Sequence, residues 1–194
     1  MNLRDAMTAA ALTMTPACAA AAGPTGGQFE MFDIAVNGDR IVGRFLEEQG
    51  AGPARTCSFT FTGRLGADER AAVTARGLGG PPAAGTLSLR GDELTLSLPQ
   101  VNRFGGCFLP QGAPLSGSRT STAAWTDLAR VTAPRARFRT SPSGKPGARY
   151  VVRGDVVGVL RQSSGALLVE YASGERAPVR GWINSADARS IGAD

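Results

Sequence analysis

The residues able to do chemistry in this chain are few. Its three cysteines are Cys18, near the N-terminus, and Cys57 and Cys107, and it contains no histidine. Ser-His-Asp and Cys-His mechanisms are therefore excluded, and two Cys without His leave too few soft ligands for zinc. Glu47-Glu48 and Asp68-Glu69 are adjacent carboxylates in expected loops, and the sequence does not give the separation that glycoside chemistry requires. No Gly-rich phosphate loop, dinucleotide fingerprint or calcium-loop spacing occurs. The expectation is a protein without catalytic residues, cofactor or metal.

Charge is the second source of chemistry, and it is unevenly spread. Residues 24 to 118 carry 8 Arg against 9 acids, whereas residues 119 to 194 carry 12 basic residues against 6 acids. Every basic residue except Lys145 is Arg. Arg135, Arg137 and Arg139 stand at every second position, so a strand there places three guanidinium groups on one face, opposite Ala136 and Phe138. Such a stripe suits acidic protein, glycan carboxylates or lipid headgroups. It serves equally as a solvated face that keeps the protein soluble. Nucleic acid is not an expected partner, because the stripe lacks interleaved aromatics.

Arg4-Asp5 is followed by AMTAAALTMTPACAAAAG, an uncharged stretch rich in Ala and Met that ends in small residues. It reads as a secretory signal over residues 1–22, cut after Ala19 or Ala22. A lipoprotein signal acylated at Cys18 is the alternative, although Thr15-Pro16-Ala17-Cys18 fits the usual lipobox only at Ala17. The stretch is too short and too polar for an integral membrane span. Removing it leaves Cys57 and Cys107 as one even pair, and export makes a disulfide between them the default.

From Gln28 to Gly117 the apolar period is two, the signal of half-buried strands. Phe32, Ile34 and Val36 alternate up to Asn37-Gly38-Asp39, a strong hairpin signal, with Ile41, Gly43 and Phe45 beyond it. Cys57, Phe59 and Phe61 share one face of their strand, and Thr56, Ser58, Thr60 and Thr62 share the other. Leu87 and Leu89 answer Leu94, Leu96 and Leu98 across Gly91-Asp92. Cys107, Phe108 and Leu109 are expected to return and pair with the strand of Cys57. ADERAAVTARG reads as a short helix ended by Gly77, with an Ala-rich edge strand as the alternative. Pro110 to Ala124, rich in Pro, Gly, Ser and Thr, is expected to be the boundary between a β domain at 24–118 and a module at 126–194. Trp125, just beyond, is expected to plug the seam between them.

The remaining segment divides into about five short strands, separated by Gly154-Asp155, Ser163-Ser164-Gly165 and Ser173-Gly174. The two Arg-Gly-Asp triplets, at Arg90 and Arg153, fall at such junctions and need no receptor to explain them. In order, the segment reads Thr140-Ser141-Pro142, Tyr150-Val151-Val152-Arg153-Gly154-Asp155, Val157-Gly158-Val159-Leu160, Val169-Glu170-Tyr171 and Gly181-Trp182-Ile183, then Ser185 to Ala188 as a 3₁₀ turn. This succession resembles the bacterial SH3-like domain. It departs from the family in carrying Ala166-Leu167 where a Trp commonly opens the Val-x-Tyr strand. The resemblance implies a five-stranded barrel and a ligand face formed by Tyr150, Tyr171, Trp182 and Asn184, with Arg137 and Arg139 at its rim. Trp182 and Tyr171 also fit the apolar alternation of a core.

Together these features lead to an all-β expectation, a disulfide-linked β sandwich or barrel followed by the SH3-like barrel. The functional expectation is an exported, periplasmic or secreted, non-catalytic protein of the bacterial cell envelope that binds cell-wall peptide or glycan or an envelope protein. The alternative is an inhibitor or immunity-type protein that blocks a lytic or toxic enzyme.

Overall fold

The computed structural model describes residues 24–49, 55–110, 112–172 and 177–192. The expected signal over 1–22 with Cys18, and the Ser173-Gly174 turn, lie outside them. The described residues contain strands and two 3₁₀ turns but no α-helix. No helix among them is long and apolar enough to cross a membrane.

Eight antiparallel strands, each hydrogen-bonded to the next in sequence, close into a barrel. They are β1 (Gly27–Phe29), β2 (Phe32–Asn37), β3 (Arg40–Gln49), β4 (Arg55–Leu65), β5 (Arg70–Gly77), β6 (Ala83–Arg90), β7 (Glu93–Ser97) and β8 (Leu115–Thr122). β1 closes on β8, with Gly27 opposite Thr122. Alternation decides what fills the lumen, since on β4 Cys57, Phe59 and Phe61 are buried while Thr56 and Thr60 are not. Phe29, Phe32, Phe45, Phe59, Phe61 and Phe104 are all fully enclosed, with neighbouring rings 4.9 to 6.5 Å apart. Each buried Phe contributes about 1.5–3 kcal/mol. An eight-stranded barrel is just wide enough to be filled by side chains.

Such large rings need small partners. Phe61 stands between Gly43 on β3 and Ala75 on β5, and a Cβ on Gly43 would fall 2.1 Å from the Phe61 ring. This pairing explains the first correction to the sequence reading: ADERAAVTARG is not a helix. Arg70–Gly77 is a strand, because Ala71, Val73 and Ala75 supply the narrow side chains that the lumen requires between β4 and β6. Tertiary pairing overrides the helical preference of Ala.

Two further corrections concern the end of the barrel. The stretch 110–124 is not simply a connection, since Leu115–Thr122 is β8 and pairs with both β7 and β1. The barrel thus runs past Ser118 to Thr122. Cys107 to Leu109 form no strand with β4. They follow a 3₁₀ turn at Val101–Arg103 and are fixed to β4 by the Cys57–Cys107 disulfide.

Beyond β8 the chain forms β9 (Asp127–Val131), β10 (Arg135–Arg137), β11 (Tyr150–Val152), β12 (Val156–Ser163), β13 (Ala166–Tyr171), β14 (Val179–Asn184), a 3₁₀ turn at Ser185–Asp187, and β15 (Ala188–Ser190). Five of these strands make one sheet in the order β14-β13-β12-β9-β15, and β10 with β11 makes a two-stranded ribbon. Ribbon and sheet share a core that includes Ala136, Phe138, Val151, Val157, Val169 and Ile183. Seven strands stand where five were expected, the additional pieces being the short flanking strands.

A separate apolar cluster joins this assembly to the barrel wall. Ala35 and Val42, on β2 and β3, meet Trp125, Leu128, Val156 and Ile191. Trp125 plugs this seam as expected, and it lies over Gly158, where a Cβ would fall 2.2 Å from the indole. Val36 N donates to Trp125 O at 3.0 Å, and Arg40 pairs with Asp127 at 3.5 Å.

Candidate functional site

The candidate site begins where β10 continues past Arg137. Arg139 and Trp182 form an isolated antiparallel bridge, with Arg139 N donating to Trp182 O at 2.8 Å and Trp182 N to Arg139 O at 3.0 Å. The loop of residues 140–149 then folds back on the same strand. Gly147 N donates to Phe138 O at 2.7 Å, and Phe138 N to Arg149 O at 3.0 Å. Between this loop and the outer side of β13 and β14 lies a groove of about 470 Å³, within the size range of small-ligand sites.

Its floor is apolar. Phe138, Leu168, Val179 and Trp182 line it together with Ala148. Phe138 packs so closely on Gly181 that a Cβ there would lie 2.9 Å from its ring. The rim is cationic, formed by Arg139, Lys145, Arg149 and Arg180. Arg180 is committed, because its Nε donates to Glu170 Oε2 at 3.0 Å and its Nη2 pairs with the same oxygen. Arg139 donates from Nη1 to Pro142 O at a long 3.4 Å, and its buried Nε has no partner. Lys145 and Arg149 have no ion pair among the described residues. The groove thus offers fixed positive charge beside apolar surface.

The six residues expected at the ligand face are not all brought together. Arg139 and Trp182 line the groove, although Trp182 is only 6% exposed and Arg161 lies 5.1 Å above its ring. Arg137 braces the groove from outside, donating from Nη1 to Gly147 O at 3.3 Å. Tyr150 is exposed on β11 opposite Arg137 and carries the Arg135 guanidinium 4.9 Å above its ring. Asn184 caps the 3₁₀ turn, its Oδ1 accepting from Ala186 N at 3.2 Å. Arg135 and Arg137 are exposed on one side of β10, with Ala136 and Phe138 turned inward, whereas Arg139, past the end of the strand, is half-buried.

Tyr171 belongs to a different cleft, of about 350 Å³, where β13 meets the barrel beside Asp33, Arg44 and Asp155. Its hydroxyl donates to Asp155 Oδ1 at 3.4 Å. Burial first, and then the Asp155 charge and hydrogen bond, hold the Tyr171 phenol above its ordinary value. Burial likewise raises the Asp33 carboxyl, against the opposing pull of Arg44 and a hydrogen bond from Gln28; Arg44 lies 3.4 Å away.

Sequence reasoning missed Lys145, Arg149 and Arg180 at the rim. The one available signal was Lys145 itself, the sole Lys of the chain, placed in a turn-rich stretch beyond the Arg stripe. Arg180 gave none, since its position depends on how β14 lies against the returning loop. Among the described residues no three His, Cys, Asp or Glu side chains gather as a metal-binding group. No protein-family model matches the chain, and no curated protein matches it.

Proposed function

We propose that this chain is a non-catalytic exported protein of the bacterial cell envelope. In this reading it divides after β8 into the barrel and an SH3-like module that meet at the Trp125 seam. The module binds cell-wall peptide or glycan, or an envelope protein, in the groove beside Trp182. The observation that carries the reading is the groove itself, with an apolar floor under a rim of cations of which three are uncommitted to any carboxylate among the described residues. The disulfide fits an oxidising compartment.

Co-sedimentation with purified cell-wall sacculi tests the proposal. The protein is expected in the pellet at about 20 mM salt and largely released at about 300 mM, where exposed charge is screened. Arg139→Glu combined with Arg149→Glu should abolish sedimentation. Absence from the pellet at low salt refutes binding to the wall.

A second reading, an inhibitor that occludes a lytic or toxic enzyme, is favoured by one end of the barrel. Leu78 and Phe108 are 78% and 66% exposed there, on backbone that cannot easily yield. Gly105 N donates to Leu78 O at 2.6 Å, the disulfide anchors Cys107, and the Asn102 side chain pairs with both N–H and C=O of Leu109 at 2.8 Å. Rigid exposed apolar anchors are what a tight interface uses. Under this reading a lytic enzyme forms a one-to-one complex that Phe108→Ala disrupts and Arg149→Glu does not.

A further inference from the structure

We infer that the groove between the 140–149 loop and β14 takes a short acidic peptide with small aliphatic side chains, and not a sugar chain. The inference rests on the groove being the binding site and goes on to name the class of ligand.

Sugar rings are held on exposed aromatic faces and by side chains that accept hydrogen bonds from hydroxyls. This groove has no exposed aromatic face and, in Thr140, a single side chain able to accept. Trp182 and Phe138 are only 6% and 8% exposed, and Arg161 stands over the Trp182 ring. Tyr150, the exposed aromatic nearby, is outside the lining and already carries Arg135. No Asp, Glu, Asn or Gln contributes to the described lining, where Thr140 has the only hydroxyl. Polyhydroxylated ligands would meet donors in excess.

The same inventory suits carboxylates. Arg139, Lys145 and Arg149 stand at the rim without a carboxylate among the described residues, and a ligand carboxylate gains charge-assisted hydrogen bonds there. Arg139 carries a buried nitrogen, Nε, without a partner among the described residues, and its Nη1 makes one long bond to Pro142. Between these cations the half-buried Leu168 and Val179, with Ala148 and Gly147, give a shallow apolar floor suited to methyl groups, since bulky side chains would need a deeper pocket. Nucleic acid would need exposed aromatic faces for its bases.

Isothermal titration of the full chain with the peptide Ala-Glu-Ala-Glu, its Ala-Gln-Ala-Gln amide counterpart, chitotetraose and inorganic phosphate tests this. At about 20 mM salt the acidic peptide is expected to bind at least about tenfold more tightly than the amide peptide, with the gap closing at about 300 mM. Lys145→Gln with Arg149→Gln, both at exposed positions, should remove that gap without shifting the unfolding midpoint. Equal affinity for the two peptides, tighter binding of chitotetraose, or displacement of the peptide by an equal concentration of phosphate would overturn the inference. Sedimentation with sacculi that persists when the acidic peptide fails to bind overturns this inference alone. Peptide binding without sedimentation supports it and overturns only the assignment to the wall.

Discussion

Trp125 donates its indole N–H to Glu170 Oε1 at 3.1 Å, while Arg180 closes on the other oxygen of the same buried carboxylate. One acid thus connects the seam beneath the barrel wall with the rim of the groove. Neither partner is replaceable by water, since both Trp125 and Glu170 are buried.

Glu170→Ala is therefore expected to destabilise the protein by about 2 kcal/mol, the cost of leaving a buried donor unsatisfied. Arg180→Gln should cost less, because the glutamine amide can still donate to Glu170 Oε2 and the Arg180 side chain that it replaces is 61% exposed. Urea denaturation of both variants checks the order. A larger loss for Arg180→Gln would show that the ion pair, and not the indole bond, dominates.

The contact between Trp125 and Gly158 allows no Cβ. Gly158→Val should expel the indole from the seam, lowering stability by about 3 kcal/mol as overpacked core positions do. It should also shift tryptophan emission to the red. An unchanged emission maximum with native stability would mean that the indole has room that the packing denies.

Cys57 and Cys107 are separated by 50 residues. Closing such a loop is worth about 4 kcal/mol in the chain-entropy model. A Cys57→Ser, Cys107→Ser double variant should lose roughly that much, read from the shift in denaturation midpoint. Intact-mass analysis of protein exported to an oxidising compartment should find neither cysteine alkylatable before reduction.

Burial raises the Asp33 carboxyl above its ordinary value of 3.8. In the interval between that value and the raised one, the folded state holds more protons than the unfolded state, so stability falls as pH rises through it. Asp33→Asn removes this slope. The stability of the variant relative to the native protein should therefore improve as pH rises from about 3.8 towards neutrality, and chemical denaturation across that range measures it. A relative loss with rising pH would mean that the pair with Arg44 outweighs the burial.

The sequence by itself determined what depends on neighbours along the chain. Alternation in Cys57, Phe59 and Phe61 put one face of β4 inward, Asn37-Gly38-Asp39 and Gly91-Asp92 placed hairpins, and Ser185 to Asp187 formed the expected 3₁₀ turn. Setting Cys18 aside with the expected signal left Cys57 and Cys107 as the pair, and the fold contains that disulfide. The alternation and the turns have a period of two or a span of a few residues, so backbone geometry and turn chemistry suffice to read them.

Tertiary structure decided the rest. Arg70–Gly77 became a strand because Phe61 needed Ala75 beside it, and Leu115–Thr122 became a strand because β1 and β7, paired on one side with β2 and β6, each had a second edge to fill. Neither requirement is visible within the segment that satisfies it. The site shows the same division. Trp182 and Arg139 were legible as an apolar strand position and as one tooth of a stripe. That they bridge one another, and that Lys145, Arg149 and Arg180 surround them, depends on a loop returning across β14. Trp125 and Glu170 lie 45 residues apart, and only burial of both at one seam makes the carboxylate the partner of the indole.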